Sequence, residues 1–378
     1  PYLIEKKLEK IGSGSMKSKA DVDENTAIGI VDSIIASAVD QGASDIHIEP
    51  FEERLQVRFR IDGILVPFKL FPVNAANMVS ARIKILCKAN IAEKRRHQDG
   101  RMSYEHGGNS YDLRASFFVT VFGEKIVLRI LNRIDQIIRL DNIGMQPKML
   151  DRFKKDVLSA PSGVMVITGP TGSGKTTTLY SCLSDIANPQ ISIVTAEDPV
   201  EYMVEGISQC SIDTSINRTF EETLRHVVRQ DPDVIVIGEI RDNFSANVAV
   251  NSALTGHKVM TSFHTEDSVS VLIRLMNMDV DAFLISSTLT CVLAQRLLRR
   301  ICPHCRESYT PNSTDLKLLN YSPRDIGKID FQKGRGCAAC NHTGYRGRVA
   351  VFEMLILDDF IKAAILEVVG AAPEVSFN

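Results

Sequence analysis

The chain has 378 residues, of which 44% are hydrophobic and 24% charged, a balance typical of a soluble globular protein with two or three domains. Its 44 Lys and Arg residues against 46 Asp and Glu residues give a net charge of −2, which argues against a protein whose main task is to coat nucleic acid. The sequence shows no apolar stretch long enough to cross a bilayer and no basic-then-apolar leader. We therefore expect any work at a membrane to be done from the cytoplasm and through a partner.

Residues 1–23 are predicted to be a linker or the end of an upstream domain. The chain begins at Pro1, and the run Gly12-Ser-Gly-Ser15 is typical of flexible linkers. We therefore expect this sequence to be a fragment of a longer protein.

Residues 24–132 predict a small α+β domain. Apolar residues at helical spacing indicate a helix over 24–42 that Gly42 ends. Apolar and polar residues alternate from Leu55 to Asp62, which predicts a half-buried antiparallel strand that turns at Asp62-Gly63 into a second strand. The second strand is predicted over 64–69. A helix over 74–90 and two more strands over 110–119 and 125–131 follow, which gives the predicted order αββαββ.

Residues 133–147 are predicted to be an interdomain linker, and residues 148–378 an α/β domain whose tail frays from about Ala371. In this domain short apolar runs alternate with helices, the pattern of a parallel sheet. Ligands of such sheets bind at the carboxyl ends of the strands. The predicted strands cover 164–168, 191–195, 234–237 and 258–262, and each runs into a polar cluster.

A phosphate-binding loop follows the first of these strands. The run Gly169-Pro-Thr-Gly-Ser-Gly-Lys-Thr176 fits G-x-x-x-x-G-K-[ST] and lies between a predicted strand and a predicted helix. Its glycines let backbone N–H groups point at phosphate oxygens, Lys175 bridges the β- and γ-phosphates, and the Thr176 hydroxyl holds Mg²⁺. The predicted nucleotide-binding residues here are Gly169, Pro170, Thr171, Gly172, Ser173, Gly174, Lys175, Thr176 and Thr177.

Acidic residues follow two other strands. Glu239 ends the apolar run 233–238, and we expect it to polarise the attacking water. Glu197, Asp198 and Glu201 follow another strand, where they either assist Mg²⁺ and water or form a solvated acidic loop.

Two histidines flank the strand over 258–262. His264 follows the strand and His257 precedes it. Each is a candidate to sense the γ-phosphate or to link subunits, against the alternative of an ordinary core or surface histidine.

Eight cysteines fall into two groups. Cys87, Cys182, Cys210 and Cys291 are scattered, and we expect them to serve as small core hydrophobes. Two C-x-x-C pairs, by contrast, predict a closed structural zinc site, with a redox dithiol as the alternative. Its predicted ligands are Cys302, Cys305, Cys337 and Cys340, with Gly334, Gly336 and Gly344 easing the turns.

Together these motifs resemble the type II secretion and type IV pilus assembly ATPases, over roughly residues 24 to 356. Besides the phosphate loop, the resemblance rests on motifs in both predicted domains; they are Gly42-Ala-Ser-Asp-Ile-His-Ile-Glu-Pro50, Arg60-Ile-Asp-Gly63, Gln98-Asp-Gly-Arg101, Ala196-Glu-Asp-Pro-Val-Glu-Tyr202, the run from Arg229 to Asp242, Leu254-Thr-Gly-His257 and Phe263-His-Thr265. It implies a RecA-like P-loop ATPase core, an N-terminal α+β domain of PAS-like fold and a small zinc-binding subdomain at about 300–345.

The resemblance also implies a homo-hexamer that binds ATP, Mg²⁺ and Zn²⁺. By motif, arginines of the N-terminal domain approach the phosphates, and three arginines of the ATPase domain lie near the site. The former are Arg114 and Arg129; the latter are Arg225, Arg229 and Arg241.

The implied function is a motor at the cytoplasmic face of the inner membrane, acting on a polytopic platform protein and other pilus or secretion subunits. The two cysteine pairs favour pilus assembly or type II secretion over pilus retraction, because retraction ATPases generally lack them. A nucleic-acid motor is a further alternative, but the basic runs at 94–96 and 296–300 lack interleaved aromatic residues, so we expect no nucleic acid. A switch with negligible turnover would require a missing catalytic carboxylate, and Glu239 is present.

Overall fold

The computed structural model describes residues 26–132, 138–318, 321 and 329–370. The predicted linker over 1–23, part of the predicted interdomain linker and the tail from Ala371 lie outside the described residues. The chain divides between Ile134 and Asp135 into two compact units, and each is described by itself below.

The first unit is a six-stranded antiparallel sheet with two helices on one face. Its elements in chain order are α1 (Ala27–Asp40), β1 (Asp45–Pro50), β2 (Arg54–Ile61), β3 (Ile64–Pro72), α2 (Ala75–Leu86), β4 (Gln98–His106), β5 (Asn109–Thr120) and β6 (Gly123–Asn132). The strands are arranged in the order β3-β2-β1-β6-β5-β4.

Period-two burial produces the core of this unit. In β2 the side chains of Leu55, Val57 and Phe59 are buried, while the polar residues that alternate with them face the other way. These apolar side chains pack with Val31, Ile34 and Ile35 of α1 in one hydrophobic cluster. The helix begins after Thr26, whose hydroxyl accepts a hydrogen bond from the Gly29 N–H at 3.1 Å.

The predicted order αββαββ is wrong, because the structure adds two strands, β1 and β4. In β4 the only fully buried side chain is that of Met102, so no apolar alternation marks this edge strand in the sequence. Its position is set instead by a continuous antiparallel ladder with β5, from Gln98 opposite Phe117 to His106 opposite Asn109. The predicted helices and the other four strands are confirmed, with shifted ends.

The second unit is built on a seven-stranded sheet with helices on both faces. Its elements are α3 (Pro147–Arg152), a π-helical segment (Phe153–Leu158), β7 (Gly163–Thr168), α4 (Lys175–Ile186), β8 (Ile193–Glu197), β9 (Ser208–Ser211), α5 (Phe220–Val227), β10 (Val234–Ile237), α6 (Asn243–Leu254), β11 (Lys258–Phe263), α7 (Ser268–Met276), α8 (Ala282–Thr288), β12 (Leu289–Ile301), β13 (Arg306–Ser308), α9 (Ser313–Leu318), β14 (Gln332–Gly334), β15 (Tyr345–Ile356) and α10 (Asp359–Gly370); short 3₁₀ segments lie at Leu140–Asn142, Thr214–Ile216 and Ala338–Cys340. The sheet order is β15-β12-β7-β11-β10-β8-β9, and β13 pairs with β14 in a separate ribbon.

The four predicted strands of this unit are confirmed as β7, β8, β10 and β11, and every residue of all four is buried. Parallel strands covered on both faces read as continuous apolar runs, which is why the sequence marks them. The long strands β12 and β15 pair antiparallel to each other and extend the sheet beyond β7. Within the described residues no helix is long and apolar enough to span a membrane.

A buried ion pair lies inside the first unit. The Lys84 ammonium on α2 lies 2.6 Å from the Glu124 carboxylate on β6, and the two side chains are 1% and 7% exposed. Lys84 also donates to the Glu93 carbonyl at 2.6 Å, and the Ser80 hydroxyl donates to Glu124 at 2.7 Å. The pair therefore ties α2 and the loop after it to the sheet, and both charges depend on each other for compensation.

We predict that Lys84→Met destabilises the first unit by about 3–5 kcal/mol, because the Glu124 carboxylate then stays buried without its counter-charge. Urea unfolding followed by circular dichroism measures the loss. The double variant Lys84→Met/Glu124→Leu should recover part of it, since neither charge remains. Arg95→Gln is the matched control: Arg95 pairs with Glu93 while its own side chain is 91% exposed, and no shift of the midpoint is expected. A Lys84→Met protein as stable as the wild type contradicts the prediction.

Candidate functional site

The phosphate loop connects β7 to α4. β7 ends at Thr168, the loop occupies residues 169–174, and α4 begins at Lys175. Gly169 has φ +145°, and a Cβ there would lie 2.3 Å from the Gln295 carbonyl oxygen, so only glycine fits. Thr176 is exposed in the first turn of α4. The loop thus presents a helix N-terminus, a lysine and a hydroxyl, the group of donors that binds phosphate.

Gln295 of β12 holds the phosphate loop in place by hydrogen bonds. No motif in the sequence indicates this role. Its amide nitrogen donates to the Ser173 carbonyl at 2.8 Å, and its amide oxygen accepts from the Thr178 hydroxyl of α4 at 2.7 Å. Both bonds are buried, so the polar groups have no water to replace the glutamine. β12 and β7 are adjacent parallel strands, with Ala294 opposite Thr168, and this register brings the Gln295 side chain under the loop.

A chain of polar contacts joins the phosphate loop to the end of β10. The Lys175 ammonium donates to the Gly169 carbonyl at 2.8 Å and lies 3.3 Å from His264 Nδ1. His264 Nε2 lies 3.1 Å from Glu239 Oε2, and the other Glu239 oxygen accepts from the Arg241 guanidinium. Because Nδ1 faces an ammonium and Nε2 faces a carboxylate, these contacts favour the histidine tautomer with its proton on Nε2.

Strand register places these groups together. β7, β11 and β10 are neighbouring parallel strands, with Phe263 opposite Thr168 and Thr261 opposite Ile237. Beyond the strand ends, the Thr168 hydroxyl lies 2.7 Å from that of Thr265 and accepts the Thr265 N–H at 3.0 Å. The adjacent His264 is thereby held between Lys175 and Glu239.

The pKa values of the two cations in this series of contacts, Lys175 and Arg241, shift in opposite directions. Burial lowers the pKa of Lys175, and the nearby Glu239 carboxylate partly offsets this. For Arg241 the hydrogen bond to Glu239 raises the pKa, and Asp198, whose carboxylate lies 3.4 Å away, adds to the effect. The site therefore pairs a desolvated lysine with a carboxylate that already has a cationic partner.

Glu197 behaves differently from its acidic neighbours. It is buried at the end of β8, and Tyr180 donates to its Oε2 while Thr195 at 2.6 Å and Gln209 at 3.2 Å donate to Oε1. Burial and this hydrogen bond raise the pKa of the Tyr180 hydroxyl. Internal donors therefore contact both oxygens of Glu197, and its role toward Mg²⁺ and water stays a prediction. Asp198 is exposed and Glu201 half-buried.

Three further residues predicted to bind nucleotide, His257, Arg225 and Arg229, belong to this unit. His257 precedes β11, at the amino edge of the sheet, where its ring Nδ1 lies 2.9 Å from the Ser252 carbonyl. Parallel strands put their two ends at opposite edges, so the structure does not bring His257 to the carboxyl edge. Arg225 pairs with Glu221 one turn back along α5 at 2.7 Å, and Arg229 lies exposed just past the end of that helix.

The remaining two predicted arginines belong to the first unit. Arg114 on β5 and Arg129 on β6 lie directly opposite each other. Arg129 donates to the Asp45 carboxylate of β1 at 3.2 Å. Their assignment to a nucleotide stays a prediction.

The four paired cysteines form a cluster with the dimensions of a zinc site. Their sulfur atoms all lie within 4.8 Å of one another, with separations of 3.9, 3.9 and 3.8 Å for three of the pairs. A tetrahedron of thiolates about 2.3 Å from Zn²⁺ has an edge of about 3.8 Å. The cluster joins the end of β12 and the turn after it to the segment between β14 and β15. The donor set and its spacing therefore fit zinc.

Backbone N–H groups and two glycines complete this cluster. The N–H groups of Cys337 and Gly344 donate to Cys340 Sγ at 3.2 and 3.3 Å. Burial opposes ionisation of this thiol, but these donors and the hydrogen bonds with the Cys337 and Cys305 thiols together lower its pKa to about 6. A Cβ on Gly334 would lie 1.9 Å from the Gly344 carbonyl oxygen, so the end of β14 and the turn before β15 approach this closely only because both residues are glycine. The two histidines next to the cysteine pairs in sequence, His304 and His342, are exposed and are not part of the four-cysteine cluster.

The scattered cysteines are core residues with one exception. Cys87, Cys182 and Cys291 are buried, as predicted, and burial raises the pKa of each thiol. Cys210 is only half-buried, because it lies on β9 at the edge of the sheet.

Solved structures with known names share the fold of this chain. In solved structures the chain is similar to the pilus retraction motor PilT with bound ADP, with a TM-score of 0.57, 25% identity and 89% of this chain and 86% of that chain covered. It shares a fold with the ATPase DotB of Legionella pneumophila, with a TM-score of 0.65, 19% identity and 92% and 86% coverage. The second unit thus has the RecA-like ATPase fold.

The family follows from sequence. Residues 20–373 match the family described as Type II/IV secretion system protein, and the chain belongs to that family. It is 44% identical over 358 residues to the type IV pilus assembly ATPase PilB of Thermus thermophilus, covering 95% of this chain. It is 41% identical over 343 residues to the type II secretion system protein E of Klebsiella pneumoniae, covering 91% of this chain. The chain spans 40% of the length of the Thermus protein and 68% of the Klebsiella protein.

We predict that Gln295→Leu loosens the phosphate loop and destabilises the second unit by about 2 kcal/mol, because the Ser173 carbonyl and the Thr178 hydroxyl lose their buried partners. Thermal unfolding measures the loss, and hydrogen exchange of the loop amides locates it. Gln332→Leu, on the small ribbon strand β14, is the control and should leave the loop's exchange unchanged. Equal exchange of the loop amides in wild type and Gln295→Leu contradicts the prediction.

We also predict one zinc ion per chain, bound by the four cysteines. Native mass spectrometry and a colorimetric zinc assay should both find it, and Cys337→Ser should abolish it. Cys210→Ser, which removes a thiol outside the cluster, should retain the metal. A purified protein that lacks zinc and shows a Cys302–Cys337 or Cys305–Cys340 disulfide would support the redox alternative instead.

Proposed function

We propose that this chain is a Mg²⁺-dependent ATPase that works as the motor of type IV pilus assembly. The observation that supports this best is the contact chain from Lys175 through His264 to Glu239 and Arg241 at the carboxyl edge of the sheet. It holds the Lys175 ammonium and the Glu239 carboxylate on either side of one histidine, and phosphoryl transfer to water uses both kinds of group.

The proposed roles follow from the contacts. Phosphate oxygens of ATP compete with the Gly169 carbonyl and His264 for the Lys175 ammonium, and the loop N–H groups bind the remaining oxygens. A water molecule attacks the γ-phosphorus in line, the bond to the ADP oxygen breaks, and Glu239 accepts the proton of that water. Arg241 orients Glu239 by donating to its Oε1. His264 contacts both Lys175 and Glu239, so its position responds to phosphate bound at either residue.

Mg²⁺ fits the donor set at this edge. The exposed Thr176 hydroxyl and the carboxylate of Asp198 offer the oxygen ligands that Mg²⁺ prefers. When bound, the ion neutralises charge on the β- and γ-phosphates. Glu201 is the proposed further carboxylate near the ion.

The proposed working form is a homo-hexamer at the cytoplasmic face of the inner membrane, bound to a polytopic platform protein. Support comes from family membership and from the relatives named above. In such a ring, Arg114 and Arg129 are proposed to bind the nucleotide phosphates. Arg225 and Arg229 are proposed to lie near the nucleotide, and His257 to sense the γ-phosphate or to link subunits. Guanidinium groups suit this role, since their planar donors match phosphate oxygens.

Type II secretion is the second candidate function, since the Klebsiella relative is a type II secretion system protein of 41% identity. The cysteine cluster is compatible with both, so it does not decide between them. A deletion strain separates the two functions. Loss of surface pili would support pilus assembly, and loss of exported enzymes would support type II secretion.

We expect Mg²⁺-ATP hydrolysis whose specific activity rises with protein concentration and is lost in Glu239→Gln. The amide keeps the size of the side chain but accepts no proton, so turnover should fall by about 100-fold or more while ATP binding persists. Phosphate release and nucleotide binding are measured on the same preparations, with analytical ultracentrifugation reporting assembly.

Glu205→Gln is the matched control, an exposed carboxylate in the loop before β9, and it should keep full activity. Activity that survives Glu239→Gln would move the role of base to Asp198 or Glu201. A specific activity independent of concentration would mean that a single subunit suffices, which contradicts the proposed ring.

A further inference from the structure

A row of charged residues crosses the sheet of the first unit. Arg60 on β2 lies opposite Asp45 on β1, Asp45 opposite Arg129 on β6, Arg129 opposite Arg114 on β5, and Arg114 opposite Arg101 on β4. Directly opposed residues of antiparallel strands point to the same face, with Cβ atoms about 4.5–5.5 Å apart. Four guanidinium groups and one carboxylate therefore form a single line on one face.

This line lies on the face turned away from the core. The residues that alternate with the arginines, Met102 on β4, Leu113 on β5 and Leu128 on β6, are all buried in the hydrophobic cluster of the unit. Since side chains alternate along a strand, Arg101, Arg114 and Arg129 face outward together.

The outward face is concave at this point. A cavity of about 510 Å³ opens there, and its charged lining consists of Arg101, Arg114, Arg129 and Asp99. Three guanidinium groups face a single carboxylate, so the cavity has an excess of positive charge. Its volume suits a chain of two or three phosphates with its water.

Folding alone gives no reason for this arrangement. Like charges directly opposite each other on neighbouring strands destabilise a sheet. Asp45 relieves part of the repulsion: Arg129 Nε lies 3.2 Å from one of its oxygens and Arg60 Nε 3.9 Å from the other. Asp45 thereby holds Arg129 toward β1, and Arg101 and Arg114 lie opposite each other where the face opens into the cavity.

We infer that Arg101 is a further phosphate-binding residue and that it forms, with Arg114 and Arg129, a site for the phosphate chain of a nucleoside triphosphate. The inference rests on the proposed function for the identity of the ligand, and on the register and the cavity for the site itself. A guanidinium binds two phosphate oxygens at once, which a lysine at the same position does not do.

The test measures binding of inorganic tripolyphosphate to the whole chain carrying Lys175→Ala, which removes the ammonium group of the phosphate loop. We expect this protein to retain measurable binding, and Arg101→Gln added to it should weaken that binding about tenfold or more. Arg101→Lys, which keeps the charge, should weaken it less. In the otherwise wild-type chain, Arg101→Gln should raise the KM for ATP.

Arg54→Gln is the matched control, an exposed arginine of β2 that lies outside the row, and it should leave tripolyphosphate binding unchanged. Equal binding with and without Arg101→Gln overturns the inference, and so does an equal loss in Arg54→Gln, which would indicate unspecific attraction. A Lys175→Ala chain that binds no tripolyphosphate also overturns it. If the wild type fails to hydrolyse ATP while these binding results hold, the proposed function falls and the anion site stands.

Discussion

The parallel ladder of β7, β11 and β10 is the constraint on which the candidate site depends. Backbone hydrogen bonds hold these strands in a register that places their last residues, Thr168, Phe263 and Ile237, at one edge of the sheet, so the residues that follow the three strands meet there. Lys175, His264 and Glu239 come from segments far apart in the chain, and their contacts of 3.3 and 3.1 Å result from this register. The complete burial of all three strands makes a slip of register costly, since polar ends would enter the core.

Satisfied polar groups surround the reactive ones. Gln295 fills the space under the phosphate loop, and Tyr180, Thr195 and Gln209 occupy the oxygens of Glu197. Buried polar networks of this kind add rigidity when every member is paired. Lys175 and Glu239, by contrast, make contacts that phosphate and water can replace. This property is expected of groups that bind a ligand. The site thus separates a fixed frame from exchangeable contacts.

The cysteine cluster and the arginine row also combine a fixed frame with groups suited to bind a ligand. The cysteine cluster is built by tight turns and by the close approach of Gly334 to Gly344, a frame that a closed metal shell would complete. The arginine row of the first unit places like charges directly opposite each other, which costs stability in a sheet, and we infer that it binds an anion. Chemistry that costs stability in the isolated chain is the better guide to function, because packing alone does not account for it.

The sequence by itself determined the phosphate loop, the four buried strands, Glu239 and the two cysteine pairs, because each is a local pattern whose physics needs no distant partner. The tertiary structure alone decided the rest. It added β4, whose position comes from pairing with β5, and it revealed Gln295 and Tyr180, which are ordinary residues in the sequence and acquire their roles from what lies opposite them. It also turned Glu197 inward, where internal donors contact both of its oxygens. Long-range register and burial set those outcomes, and neither is written in the spacing of residues along the chain.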